Sequence, residues 1–401
     1  MAILSQLSTQ VKQYLIVTGN YWAFTLTDGA LRMLVVLYFH QLGYSPLEVA
    51  MLFLFYEIFG VFTNLFGGYL GAKLGLNKTM NIGLALQVIA LGMLALPPEY
   101  LSMAYVMFAQ ALSGIAKDLN KMSAKSSIKM LVAQGQEGTL FKWVAILTGS
   151  KNALKGVGFF LGGLLLTLFS FKGAMLIMAS ALAVTWIFSV ISLKQDLGKA
   201  KNKPKFKEIF SKSKAINVLS AARLFLFGAR DVWFVVALPV FLSQTFGWDH
   251  HYVGGFLALW VIGYGFIQSI APKIINRNER QAVPQDAVFW ATTLAVVPAV
   301  IALCLYLELA VAYSLLIGLL IFGGLFAINS ALHSYLIVSM ADEDGVSLDV
   351  GFYYMANALG RLIGTVLSGY LFQSYGLVVC LVISSVFIFA AALISRALPN
   401  R

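Results

Sequence analysis

The stretch KQDLGKAKNKPKFKEIFSKSK, residues 194–214, decides how this chain folds. It carries eight lysines in twenty-one residues and stands between two long series of apolar blocks. Working towards the amino terminus, six blocks fall at about 14–41, 47–70, 80–96, 101–117, 140–169 and 174–193. Towards the carboxyl terminus six more fall at about 216–246, 252–275, 287–307, 310–341, 351–375 and 377–398. Each is long enough, as a helix, to cross a hydrocarbon core. Sixty per cent of the 401 residues are hydrophobic and 11% are charged, and mean hydropathy is +0.83. A soluble domain would carry about a quarter charged residues. The expectation is therefore an all-α membrane protein of twelve spans. Its parts are a six-helix bundle at 1–193, a basic linker at 194–214 and a second bundle at 215–401. The first apolar stretch is too long for a cleavable signal and is expected to remain as a span.

Basic residues set the orientation. With the amino terminus in the cytoplasm, twenty of the 28 Lys and Arg fall on that side, and only Lys172 on the other. The seven remaining lie within spans. This asymmetry is a positive-inside signal and places both termini, with the linker, in the cytoplasm of a multi-pass inner-membrane protein. It also accounts for most of the net charge of +11 as loops lying along an anionic leaflet. The linker needs no nucleic-acid partner to explain it. The acidic loop Asp342-Glu343-Asp344 falls on the same side, either solvated or docked on Lys73 or Lys273.

The two halves repeat. With Gln41 set against Gln244, Asp28 meets Asp231, and Val49-Ala50 faces Val253-Gly254 after a one-residue gap. In the fifth and eleventh spans Asn152-Ala153-Leu154 matches Asn357-Ala358-Leu359, followed by Lys155 and Arg361. Parallel repeats around a midplane site are a secondary-transporter architecture. Gly67 and Gly71, and Gly158 and Gly162, are GxxxG pairs suited to close helix packing. Cys304 and Cys380 both lie in spans and read as small apolar residues.

Six plus six spans, a basic central loop and cytoplasmic termini together resemble the major facilitator superfamily. The run after the second span, Gly68-Tyr69-Leu70-Gly71-Ala72-Lys73-Leu74-Gly75-Leu76-Asn77-Lys78, keeps that superfamily's glycines and basic residues. Ala72, however, replaces the usual acid and its gating salt bridge. A closer resemblance is carried by residues 18–32 (TGNYWAFTLTDGALR), 38–46 (YFHQLGYSP), 53–60 (FLFYEIFG) and 113–121 (SGIAKDLNK). These are similar to the ArsJ-type organoarsenical efflux permeases. The resemblance implies export of 1-arseno-3-phosphoglycerate for arsenate resistance, in functional pairing with the glyceraldehyde-3-phosphate dehydrogenase that makes this ester.

Independently of that likeness, charges at membrane depth are costly and face a cavity or a partner. Five cations lie near the midplane, Arg32, Lys151, Lys155, Arg230 and Arg361, against three acids, Asp28, Glu57 and Asp231. The surplus favours a small, multiply charged anion, since Arg binds phosphate bidentately and Lys adds point charge. Lys155 and Arg361 are the leading anion clamps, or else members of helix–helix salt bridges. Lys151, one turn before Lys155, extends the same face, and Asn152 and Asn357, each about a turn from a clamp cation, are further binding candidates. Asp28 and Arg32, four apart, either line the path or pair within their helix. Arg230 and Asp231 are adjacent and point apart, leaving Asp231 to meet Arg361 or Lys155 or to carry a proton. Arg223 is expected to snorkel to headgroups. Glu57 either titrates or forms a salt bridge. Asn329 and His333, four apart, present donors to the cavity or serve packing. Lys117 and Asp118 form a gate or a surface pair near the cytoplasmic end. Tyr21, Trp22 and Tyr38 line the cavity or anchor the interface.

No enzyme is indicated. The chain has no GxxxxGK[ST] loop and no HExxH motif, and its four histidines do not sit with cysteines at zinc spacing. No cofactor or metal is expected. Energy should come from a gradient, most simply protons carried by Asp28, Glu57 or Asp231 in antiport with the cargo. The competing readings are a transporter of another phosphorylated or carboxylated metabolite and, from a different class, a membrane receptor or lipid-modifying enzyme. The last would require a larger polar domain than about twenty residues provide.

Overall fold

Apolar blocks that must satisfy every backbone amide inside hydrocarbon have one local solution, the α-helix. The computed structural model is helical throughout, with no strand among the described residues. It describes residues 9–44, 48, 51–133, 135–193, 197–199, 213–248, 250–275, 284–343 and 345–399. Most of the basic segment 194–214 thus lies outside the described residues, as do Val49, Ala50 and Asp344.

The helices are α1 (Thr9–Gln41), α2 (Leu54–Leu74), α3 (Leu76–Leu94), α4 (Met103–Leu131) and α5 (Glu137–Ser192). They continue with α6 (Lys214–Phe234), α7 (Ala237–Phe246), α8 (His250–Ile275), α9 (Pro284–Tyr306), α10 (Val311–Met340) and α11 (Val346–Ser395). Seven helical stretches of the described residues are long and apolar enough to cross a membrane. Two of them are double. α5 bends at Ser170 (φ 59°, ψ 170°) and α11 at Gly376 (φ 76°, ψ −177°), so each holds two of the spans expected from sequence. α6 and α7 together supply the seventh span. Its break at Val235–Val236 follows from Pro239, whose ring meets the carbonyl four residues earlier and which has no amide hydrogen. The Ala237 amide instead donates to Ser368 Oγ at 3.1 Å.

Two boundaries differ from the sequence reading. α2 and α3 are joined through Gly75 alone, which turns at φ 94°. More consequentially, α4 does not stop near Lys117. It runs on to Leu131, so Lys121, Lys125 and Lys129 are helical residues rather than loop.

Contacts divide the chain into two compact units. The first comprises Met1–Leu140, Ser150–Ser211 and Ala341–Met355; the second comprises Phe141–Gly149, Lys212–Met340 and Ala356–Arg401. In the first unit α4 is the central helix, packed on α1, α2 and α3. Gly158 and Gly162 let α5 settle on α1. A Cβ at Gly158 would stand 2.7 Å from the Leu26 carbonyl oxygen, and one at Gly162 would stand 2.5 Å from that of Ala30. In the second unit α6 and α11 make the corresponding crossing, where a Cβ at Gly364 would stand 2.5 Å from the Gly228 carbonyl oxygen. The same spans of each half, first on fifth and seventh on eleventh, thus cross through glycine, as the internal repeat requires.

Polarity is distributed opposite to that of a water-soluble fold. Phe160, Val184 and Leu259 are 71%, 68% and 70% exposed, while Asn120, Asp231 and Gln268 are fully buried. Large exposed aliphatic and aromatic side chains suit lipid, and the buried polar groups face protein.

Candidate functional site

In the first unit, α1 and α2 bring together Asp28, Arg32, Tyr56 and Glu57. α2 offers Tyr56 and Glu57 side by side, and α1 answers each with a different partner. The Tyr56 hydroxyl donates to Asp28 Oδ1 at 2.5 Å, and the Arg32 guanidinium bonds Glu57 Oε1 at 2.8 Å. Arg32 also lies over the Tyr56 ring at 4.3 Å. The intrahelical Asp28–Arg32 pair therefore gives way to two interhelical contacts. The cause is reach: the long arginine stretches to a carboxylate on the next helix, and the phenol occupies Asp28. Among the described residues Asp28 forms no ion pair within 4.0 Å and is 4% exposed.

From α4, Lys117 places its ammonium 3.8 Å from the centre of the same Tyr56 ring. Asp118, expected near the surface or at a gate, is 2% exposed and bonded by Lys121 at 2.5 Å. Tyr21 is 2% exposed and buried in this unit rather than at an interface. Trp22 is partly exposed, and its indole donates to Ser150 Oγ at 2.8 Å. Tyr38 stacks on Phe171 with centroids 4.1 Å apart. On α5 Lys151 donates to Asn152 Oδ1 at 3.2 Å. Lys155 extends over the Phe159 ring at 5.8 Å. Asn152 and Lys155 are both half-buried.

The second unit gathers charge more tightly. α6 runs beside α10, with Arg223 opposite Ser330 and Phe227 opposite Phe326, while α11 approaches from the glycine crossing. Asp231 is fully buried and gripped from two sides. Arg230 bonds its Oδ1 through Nε at 2.6 Å and through a terminal nitrogen at 2.5 Å. Arg361 bonds its Oδ2 through Nε at 3.0 Å. The sequence expectation that neighbours 230 and 231 could not pair is overturned. Arginine is long enough to fold back along its own helix. The rings of Phe227, Phe234 and Phe326, each 5.1–5.7 Å from its guanidinium, support it there.

Arg223 also departs from expectation. Instead of reaching headgroups it is 3% exposed. It donates to Asn357 Oδ1 at 2.9 Å and to the Ser330 carbonyl oxygen at 3.4 Å, over the Phe227 ring at 3.7 Å. A polar partner on α11 and a carbonyl on α10 hold it inward. Asp231 is the single acidic residue on α6, α8, α10 and residues 356–395, which carry Arg223, Arg230 and Arg361. Sequence reasoning had one available signal for Arg223, its position two helical turns before Arg230 on the same face.

Asn329 and His333 do not act as a pair. Asn329 donates to the Trp290 and Leu325 carbonyl oxygens, both at 2.9 Å, and so ties α10 to α9. His333 is fully buried, and among the described residues neither ring nitrogen has a hydrogen-bond partner. The side chains of His250 and His251 lie outside what is described. Among the described residues no three His, Cys, Asp or Glu side chains come together as a metal site.

Comparison with known proteins gives the following. The family model described as Major Facilitator Superfamily matches residues 17–305 and 224–401. No curated protein matches. Among solved structures, the human organic anion transporter MFSD10 (TETRAN) superposes with a TM-score of 0.76 at 16% identity, covering 97% of this chain and all of that one. A variant of the Escherichia coli fucose:proton symporter FucP gives 0.75 at 11% identity, covering 98% of this chain and all of the other. A bacterial homologue of the iron transporter ferroportin, in an outward-facing state, gives 0.73 at 14% identity over 96% of this chain and 98% of its own. At such identities these likenesses speak to fold alone.

Proposed function

Since the chain belongs to the Major Facilitator Superfamily, and is thus a multi-pass membrane transporter, we propose that its cargo is a phosphorylated or carboxylated anion moved by alternating access. The observation that carries this reading is the balance in the second unit. Three guanidinium groups, Arg223, Arg230 and Arg361, share helices with one carboxylate, Asp231. A charge kept away from water is stable only with a partner. Asp231 offsets one positive charge of the Arg230–Arg361 pair, and an incoming oxyanion supplies the remainder in the bidentate geometry arginine favours. Asn357 holds Arg223 in place. Within the first unit, Arg32, Lys151, Lys155, Tyr21 and Asn152 are assigned to anion binding on their own account. His333 offers a ring nitrogen to the cargo. Asn329 acts by positioning α10.

Within that class, the resemblance of residues 18–32, 38–46, 53–60 and 113–121 to organoarsenical permeases narrows the cargo to 1-arseno-3-phosphoglycerate, supplied by a glyceraldehyde-3-phosphate dehydrogenase and expelled for arsenate resistance. Basic residues support an inner-membrane location with both termini in the cytoplasm.

Antiport with protons is the accompanying proposal, and the geometry favours one of the three carboxylates. Glu57 and Asp231 are both engaged by arginine. Asp28 meets a phenol instead of a cation, so Asp28 is assigned the proton.

The test is arsenate tolerance in cells lacking their own efflux systems. Tolerance is expected only when chain and dehydrogenase are expressed together, and is expected to disappear with Arg361→Gln. Tolerance to arsenite, or tolerance without the dehydrogenase, refutes the arsenical cargo. The broader class is tested in proteoliposomes, where counterflow of 3-phosphoglycerate is expected and counterflow of glycerol is not.

A further inference from the structure

In the second unit α6, α8 and α10 meet in a constant register, one layer for each turn of helix. Phe322 of α10 packs against Trp233 of α6 with ring centroids 5.0 Å apart, and the Trp260 indole of α8 donates to the Leu319 carbonyl oxygen at 2.8 Å. One turn on, Phe326 meets Phe227 of α6 at 5.1 Å and Tyr264 of α8 at 5.8 Å. The next layer is polar. The Ser330 carbonyl oxygen accepts from Arg223 of α6 at 3.4 Å, and the Ser330 hydroxyl accepts from Gln268 of α8 at 3.0 Å. Residues 326, 330 and 333 follow one face of α10, as 227, 223 and 220 do on α6 and 264, 268 and 271 on α8. The register therefore sets His333 in a fourth layer with Ser220 and Ala271.

That fourth layer is polar but unpaired. His333 is fully buried and Ser220 is 2% exposed. Among the described residues, neither ring nitrogen of His333 nor the Ser220 hydroxyl has a hydrogen-bond partner. Ala271 is apolar, and Pro272 after it has no amide hydrogen. Buried polar atoms left unpaired are costly, and three in one layer call for a group that both donates and accepts. Neighbouring charges indicate what kind of group. Asp231 is the single acid on α6, α8, α10 and residues 356–395, and Arg230 and Arg361 both engage it. A protonated ring would set a fourth cation against that one carboxylate. The neutral ring offers one donor and one acceptor, the Ser220 hydroxyl offers both, and another hydroxyl complements the two. We propose that His333 and Ser220 form a hydroxyl-reading subsite one helical turn, about 5.4 Å, from Arg223. The cargo then carries a hydroxyl close to the anionic group that the arginines draw in. An analogue without that hydroxyl leaves the buried polar atoms unpaired and is rejected. This narrows the anionic-cargo reading to hydroxylated anions and rests on it.

The experiment uses the full chain in detergent, with two pairs of probes that differ by a single hydroxyl. One pair is 3-phosphoglycerate and its 2-deoxy analogue; the other is malate and succinate. Probe-dependent thermal stabilisation gives an apparent Kd for each. The wild type is expected to bind the hydroxylated member of at least one pair about tenfold or more tightly than its partner, the penalty for leaving buried hydrogen-bonding groups unpaired. His333→Leu and Ser220→Ala are each expected to lower that ratio to about threefold or less. His333→Gln restores a donor and an acceptor and is expected to keep the ratio above that of His333→Leu. If the wild-type ratio is near one, or if His333→Leu and Ser220→Ala retain the wild-type ratio, the subsite is refuted while the anionic cargo stands. A ratio in His333→Gln no better than in His333→Leu assigns the effect to shape rather than hydrogen bonding, and also overturns the proposal. Should His333→Leu fail to fold, Ser220→Ala decides the matter alone. If none of the four probes stabilises the wild type, the anionic cargo is refuted and the subsite with it.

Discussion

Replacing Asp231 by asparagine tests the charge arrangement of the second unit directly. The carboxylate is fully buried and receives three bonds of 2.5–3.0 Å from two guanidinium groups. Asparagine keeps the shape, retains one acceptor oxygen and adds an amide facing Arg230 or Arg361. Removing one member of a buried ion pair costs about 3–5 kcal/mol, because the remaining charge stays desolvated. Here the arginine side chains retain 16% and 26% exposure, and solvent screening places the cost near the lower end, about 3 kcal/mol. At about 2–4 °C per kcal/mol this lowers the melting temperature by about 6–12 °C. The assay is thermal unfolding of detergent-solubilised protein followed by loss of the monodisperse peak. Two further outcomes are expected. Arg361→Gln in the Asp231→Asn background recovers at least about 1 kcal/mol, the coupling expected of groups in one network. Added 3-phosphoglycerate stabilises Asp231→Asn more than wild type, since an external anion replaces the lost one. An unchanged melting temperature, or a loss that Arg361→Gln deepens, refutes the reasoning.

Five other outcomes follow from the geometry. Ser170→Gly is expected to raise stability by about 1 kcal/mol, since φ 59° with ψ 170° is a conformation suited to glycine; a lower melting temperature would contradict it. Gly158→Val, whose Cβ would stand 2.7 Å from the Leu26 carbonyl oxygen, is expected to lose about 1–3 kcal/mol or more. Gly163→Ala meets only Leu37 at 3.9 Å and should elute and melt like wild type. His333→Leu is expected to gain about 1 kcal/mol in thermal unfolding by removing two unpartnered buried nitrogens, while slowing transport. A double-mutant cycle of Arg32→Gln and Glu57→Gln should return about 1 kcal/mol, reduced by the 22–26% exposure of both side chains; a value near zero would mean that the pair forms no effective bridge.

The spans were legible because they depend on local properties. An apolar block of twenty residues has few alternatives in lipid, and Gly376 and Ser170 fall within a few residues of where the hydropathy of α11 and α5 dips. The glycine crossing of α5 on α1 was legible as well, from Gly158 and Gly162, whereas that of α11 on α6 at Gly364 and Gly228 was not among the pairs read from sequence. What the sequence concealed was tertiary. The second half of α4, with Asp118, Asn120, Lys121, Ser123 and Lys125, reads as a polar loop by composition, yet these residues are mostly buried because neighbouring helices surround them. Arg32 chose Glu57 over Asp28, and Arg223 turned inward, through side-chain reach across helices that no spacing rule specifies. Arg230 paired with the residue beside it because a phenylalanine cluster steered its guanidinium. The break between α6 and α7 was readable from Pro239, although Pro272 and Pro298 lie inside helices that continue.

The reversals at Ser170 and Gly376 bear on how the chain is made. Each joins two spans with no intervening loop, and the expected consequence is that each pair enters the membrane together as a helical hairpin. Lengthening either junction by a few residues would uncouple these paired entries, and newly synthesised chains with one arm left outside would be the expected product.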